Sequence, residues 1–229
     1  MGMFDEIEIE KDLVEVEDKI GGFKKFDKTG FYTGVIEKAY AKVSDGGAFG
    51  VVTHIKRADG AVLQNTEWIT SGTAKGCKNY WIDKNDNKNP LPGYTNIHNL
   101  DGILGYDRDY PKTEKGNIML YDFDLKTEVP TEVEIISEWV GKEIGLLGMV
   151  LIEDKWNEKT KSVTKFEVKH FVDAKTGKTR NEQISGKDGF KAKWVKAYGE
   201  DYVVDKREES KGASVDSAGA TKSDDDSPF

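Results

Sequence analysis

One cysteine, Cys77, and three histidines stand in a chain of 229 residues. A single thiol excludes an internal disulfide and a cysteine-based metal cluster, and it fits a reducing compartment. His54, His98 and His170 are scattered, which leaves little material for an imidazole metal site or an acid–base pair. No apolar run approaches the length of a membrane span, and no basic stretch followed by an apolar one opens the chain. The expectation is a soluble cytoplasmic protein. Gly46-Gly47 lacks the following helix and lysine of a phosphate-binding loop, and no dinucleotide-binding glycine pattern occurs, so no cofactor is expected. Asp101, Asp107, Asp109, Asp122 and Asp124 raise the thought of a two-metal nuclease, but their spacing matches no such motif. No catalytic residue is assigned, and the chain is not expected to be an enzyme.

What the chain does have is charge, and the charge is unevenly placed. The formal net charge is −8. Acid collects at the start, from Asp5 to Asp18, and again at the end. Between Lys155 and Lys196 the balance inverts, and Trp156, Phe166, Phe171, Phe190, Trp194 and Tyr198 lie among the lysines. A basic segment laced with aromatics is the footprint expected of a nucleic-acid binder. A solvated lysine-rich hairpin is the plainer alternative.

Residues 1–28 are acidic and irregular. From Gly30 the texture turns to strand. Gly30 to Val43, Ala48 to Arg57 and Ala61 to Thr70 read as three long strands joined by the turns Ser44-Asp45-Gly46-Gly47 and Ala58-Asp59-Gly60. Residues 71 to about 118 read as an insertion, with a short helix over Thr95 to Leu104. Thr131 and Glu134 suggest a capping box for a helix from Thr131 to Gly141. Lys142 to Trp156 and Lys161 to Val172 read as a fourth and a fifth strand. Asp188 is a candidate cap for a last helix ending near Tyr198. Three strands, a helix and two strands is the order of the five-stranded OB barrel, so the expectation is a mainly β OB domain over 29–199, followed by a disordered tail over 200–229. A meander sandwich is the alternative.

Gripping a single strand without reading its sequence needs cations along the phosphates and flat rings against the bases. Candidate cations are Lys38, Lys42, Lys56, Arg57, Lys155, Lys161, Lys165 and Lys169. Candidate rings are Tyr32, Tyr40, Trp68, Tyr80, Trp81 and Trp156. Strand alternation puts Tyr32, Lys38, Tyr40 and Lys42 on one face and Phe31, Val35, Ala39, Ala41 and Val43 on a core face. Trp68 suits the core as well as stacking. Trp139, Phe166, Trp194 and Tyr198 read as packing residues. Tyr80-Trp81 sits among Lys75, Lys78, Lys84 and Lys88 with no core periodicity.

The last six residues are Asp224-Asp225-Asp226-Ser227-Pro228-Phe229. A terminal ring on a polar tether has no intramolecular use; it suits a partner's apolar pocket with a basic rim. This ending resembles the acidic tip of bacterial single-stranded DNA-binding proteins. Asp224, Asp225, Asp226, Pro228 and Phe229 match it, while Ser227 stands where that family has an aliphatic residue. The whole also resembles phage-encoded members that join one OB domain to an acidic tail ending in Phe. The resemblance implies coating of exposed DNA during replication, recombination and repair in a bacterial host's cytoplasm, with the tip recruiting replication and recombination proteins. Two other classes stand against it: a carbohydrate-binding β module, and a nuclease or annealing protein of a recombination pathway. RNA is an open ligand too, since stacking does not distinguish the sugars.

Overall fold

A computed structural model describes residues 25–155 and 158–207. Most of the acidic N-terminal segment, Trp156 and residues 208–229 of the tail lie outside the described residues, whereas 200–207, expected as the start of a disordered tail, are described and hold a short strand at Val203–Asp205. The described part is mainly β, with one large, mostly antiparallel sheet that does not close into a barrel.

The first three strands form where the alternation places them: β1 Gly30–Val43, β2 Phe49–Lys56 and β3 Val62–Trp68. Asp59 holds the β2–β3 turn, where its carboxylate accepts from the Ala61 amide at 3.2 Å and from Arg57 at 2.7 Å. A short hairpin follows, β4 Tyr80–Ile82 and β5 Lys88–Pro90, and then helix α1, Pro92–Ile103. Pro92 suits a helix start, where no amide donor is needed. The expected helix over Thr95 to Leu104 is therefore real but begins a turn earlier.

The expected helix over Thr131 to Gly141 is not there. Thr127–Ile135 is strand β7, paired with β6, Glu114–Asp122. Val129, Thr131, Val133 and Ile135 alternate with Glu128, Pro130, Glu132 and Glu134, and this two-residue period overrides a capping box made by coincidence of spacing. Only the short 3-10 turn Ser137–Trp139 falls in the expected helical stretch. The helix lying between the third core strand and the next is instead α1.

β8 Glu143–Lys155 and β9 Glu158–Val172 match the fourth and fifth strands of the sequence reading. β8 is an almost unbroken apolar run because it is buried on both faces. Two short helices follow, α2 Arg180–Ser185 and α3 Phe190–Ala197, then β10 Val203–Asp205. The Thr179–Glu182 capping box starts α2, which sequence reasoning missed. Asp188 does not cap α3; the cap residue is Gly189.

The strands line up as β3-β2-β1-β8-β9. β1 changes partners along its length. Its first half pairs with β8, from Gly30↔Gly148 to Val35↔Glu143, and its second half meets β7 at Tyr40↔Ile135. A bulge at Glu37, between Ile36 and Lys38, bends the strand. β10 takes the β8 edge that β1 vacates, in parallel, at Val150 to Ile152.

Two cores result. Ile36, Ala39, Val51, Ile55, Leu146 and Phe171 pack with Ile97 and Leu100 of α1 and with Trp139. On the other side of β8, Leu147, Met149 and Val172 pack with Trp194 of α3, beside Phe31, Phe190 and Tyr198. Trp139, Trp194, Tyr198 and Phe166 thus pack as the sequence suggests.

The edges of β3 and β9 do not pair. Between them lies a cleft of about 1500 Å³ lined also by α1 and by residues around α2. Glu67 on β3 faces this cleft and accepts from the side-chain amides of Asn65 and Asn96, each at 3.2 Å. Burial pushes its carboxyl up to about 7. A raised carboxyl pKa means the folded state holds a proton that the unfolded chain has released. The stability it confers is complete below the unfolded value, near 4.5, and is lost as pH rises through 7. Glu67→Gln is therefore expected to raise the melting temperature at pH 8 by roughly 2–6 °C, from about 1–2 kcal/mol, and to change it little at pH 4.5. Melting curves of both proteins at the two pH values check this; an equal shift at both would contradict it.

Candidate nucleic-acid interface

The register of β1, β2 and β3 fixes which side chains share the outer face. Lys42, Gly50 and Trp68 form one row, Tyr40, Val52 and Thr66 the next, and Lys38, His54 and Gln64 the third. Lys56 and Val62 follow. Trp68 is 39% exposed at one end. Its ring lies over Gly50, where a Cβ would stand 2.7 Å from the indole. Gly93, in the first turn of α1, brings that helix so close to the Trp68 backbone that a Cβ would lie 2.3 Å from the carbonyl oxygen. Two glycines thus hold Trp68 between sheet and helix, with its ring turned to the outer face.

The Glu37 bulge corrects the parity reading of β1. Lys38, Tyr40 and Lys42 do share the outer face. Tyr32, before the bulge, is on the other side: its ring packs on Phe26 at 5.1 Å and Phe166 at 5.4 Å, with the Arg57 guanidinium 4.8 Å above it. Its hydroxyl donates to the Lys28 carbonyl at 2.9 Å. Tyr32 and Arg57 therefore close one end of the core. Val35 and Val43, assigned to the core, are exposed, and Phe31 packs in the second core beside α3.

The centre of the outer face is covered. Tyr40 is 6% exposed and Val52 is fully buried. Tyr40 packs on His54 at 5.9 Å, and burial raises its hydroxyl pKa. The β6–β7 hairpin passes close by. The Lys38 ammonium donates to the Met119 carbonyl at 2.6 Å and to Glu128 at 3.2 Å, which ties this arm to β1. Burial, and then the Lys38 charge, lower the His54 pKa, so its imidazole is neutral at pH 7. The His54 Nε2 is shielded and has no hydrogen-bond partner.

The cations divide into three groups. Lys42 and Lys56 are exposed on or beside the outer face. Lys56 pairs with Glu37 at 2.9 Å, but an exposed pair of this kind holds at most about 1 kcal/mol and yields readily to a phosphate. Lys78 and Lys88 flank the Tyr80 ring at 5.7 and 5.0 Å. Their hairpin adjoins the Trp68 end, since the Ser71 amide donates to the Lys78 carbonyl at 2.7 Å. Trp81 sits half-buried opposite Asn89. The third group is the β8–β9 hairpin. There Lys165 pairs with Glu153 at 2.6 Å and Lys169 with Glu167 at 2.7 Å, and Lys169 lines the β3–β9 cleft rather than the outer face. Lys155 and Lys161 are exposed near the turn of that hairpin. The register therefore places Lys42, Lys56 and Trp68 on the outer face of β1, β2 and β3, while Lys78, Tyr80 and Lys88 belong to the hairpin that adjoins the end of β3. It adds Gln64 and Thr66, which sequence reasoning missed although their alternation with Leu63 and Asn65 carries the signal.

The acids have other work. Asp101 is fully buried and accepts from Arg108 at 2.9 Å and from the Trp139 indole at 3.0 Å. Asp122 caps the arm's turn through the amides of Asp124 and Leu125. Among the described residues no cluster of His, Cys, Asp and Glu could hold a metal ion, and no helix is long and apolar enough to cross a membrane. His54 and His170 do not meet; His170 packs on Phe190 at 5.0 Å. No protein-family model matches the chain, and no curated protein matches it.

Proposed function

We propose that the chain binds single-stranded DNA without reading its sequence, on the outer face of β1, β2 and β3, and that its sheet is an OB barrel left open between β3 and β9. Four features support the barrel reading: the bent, partner-switching β1, the β1-β2-β3 meander, the β8–β9 hairpin on its other edge, and α1 in the interval between β3 and β8. In such barrels the face of the second and third strands carries the oligonucleotide, together with the loops after the first and fourth strands. Here those loops are the Ser44–Ala48 turn and the end of the β8–β9 hairpin, beside Lys155 and Lys161.

The observation that carries the reading is the Trp68 ring, laid over Gly50 on an outer face with Lys42 in the same row. A base stacks on the indole while Lys42, Lys56, Lys78 and Lys88 take phosphates and release their counterions. Function is binding rather than catalysis: the protein coats exposed strands during replication, recombination and repair, and the tip Asp224 to Phe229 recruits partner proteins.

The test is a fluorescence-anisotropy titration of a labelled oligo-dT against a duplex of equal length, at several salt concentrations. Four phosphate contacts predict a log–log salt slope of roughly −3 for the single strand. Preference for oligo-dT with that slope supports the proposal. Equal affinity for duplex would sink it, and salt-independent binding would favour a stacking carbohydrate module.

A further inference from the structure

Trp68 and Lys42 stand at one end of the outer face and Lys56 at the other, and all three are exposed. Lys56 lies six residues along β2 from Gly50, roughly 20 Å away. The rows between are covered: Tyr40 and Val52 are buried, and Lys38 and His54 are half-buried. A strand laid along this face from Trp68 to Lys56 meets a closed middle.

The β6–β7 arm lies over that middle. Its root pairs with β1 at Tyr40↔Ile135 and Ala41↔Glu134. Continued straight, this antiparallel register would carry Glu128 past Lys42 and away from Lys38. Yet the Lys38 ammonium donates to Glu128 at 3.2 Å and to the Met119 carbonyl at 2.6 Å. The arm therefore folds back over the outer face. The hold is slight. Glu128 is 56% exposed, so its pair with Lys38 is worth little against a competing anion. At the root, a cavity of about 270 Å³ is lined by Pro111, Thr113 and Ile136 on the arm's side and by Ala41, Phe49 and Gly50 on the sheet's side. The arm has room to pivot there. The closed form also leaves the His54 Nε2 shielded with no partner, a cost that opening removes.

We propose, resting on the DNA-binding reading above, that the arm is a strap across the binding face, latched by Lys38 on Glu128, and that an incoming strand opens it. A phosphate replaces the Glu128 carboxylate on the Lys38 ammonium, one anion for another. The arm pivots at its root and uncovers Tyr40, whose ring then stacks on a base between the Trp68 end and Lys56. Tyr40 is thus a binding residue of the open form, hidden in the closed one.

The test uses an oligo-dT carrying 5-iododeoxyuridine, irradiated in complex with the full chain, with the cross-linked residues mapped by mass spectrometry. Cross-links are expected at Trp68 and also at Tyr40, which no base reaches while the arm is down. Glu128→Gln breaks the latch. It should tighten oligo-dT binding about 2- to 5-fold, the worth of an exposed ion pair, and raise the yield at Tyr40. Glu132→Gln removes an equal charge from the same strand and should change both less, since Lys38 holds Met119 and Glu128 instead. Cross-links at Trp68 with none at Tyr40 would overturn the strap and leave the binding face standing. Equal effects of Glu128→Gln and Glu132→Gln would overturn it too. A chain with no affinity for oligo-dT would remove the strap and the binding face together.

Discussion

Replacing Arg108 by Met is expected to cost roughly 2–3 kcal/mol of folding stability, less than the ~3–5 kcal/mol of a fully buried ion pair because Asp101 is buried but Arg108 itself is partly exposed. Asp101, on α1, has no exposure to solvent. Its carboxylate accepts from the Arg108 amide at 3.0 Å, from the Arg108 guanidinium at 2.9 and 3.3 Å, and from the Trp139 indole at 3.0 Å. Arg108 also reaches Glu138 at 2.7 Å, and its hydrogen bond to Asp101 raises its pKa further above the ordinary arginine value. Without the guanidinium, a buried charge keeps only two neutral donors. The pair Asp101→Asn, Arg108→Met removes the stranded charge and should recover part of the loss. Urea denaturation of the three variants measures this. A loss under 1 kcal/mol for Arg108→Met would mean that the pair does not hold α1 to the Trp139 turn.

Trp68→Ala is expected to weaken binding of oligo-dT about 5- to 150-fold, the equivalent of the roughly 1–3 kcal/mol a stacked base contributes. Trp68→Phe keeps a flat face and should retain most of the affinity. Gly50→Val places a branched side chain under the indole, where even a Cβ stands 2.7 Å away, and should displace the ring and weaken binding without removing it. Because Trp68 is partly buried, melting temperatures are measured alongside. An affinity unchanged by Trp68→Ala would move the binding face elsewhere.

The strands were legible because their periods are unambiguous. Gly30–Val43, with its turn and the two strands that follow, can be read from alternation and turn residues alone, and so can the apolar run of β8. Three features were not legible. The bulge at Glu37 shifts the alternation by one, and no local signal separates Tyr32 from the face of Lys38 and Tyr40. The Thr131–Glu134 spacing imitates a helix start, and only pairing with β6 decides for strand. The neutralisation of the basic segment depends on partners distant in sequence: Lys165 meets Glu153 across a hairpin. Arg180 meets Asp107, far away in the chain. Of the candidate site, Trp68, Lys42 and Lys56 could be read from the chain. The burial of Tyr40 could not, because it requires the fold around it.

The most direct test of DNA binding at the β1-β2-β3 face is tryptophan fluorescence during titration with poly(dT), for the wild type and for Trp68→Phe. Stacking of bases on Trp68 predicts strong, saturable quenching by poly(dT) in the wild type, little quenching by duplex, and loss of most of the quenching in Trp68→Phe while binding persists. Quenching that is unchanged in Trp68→Phe, or equal with duplex, would contradict it.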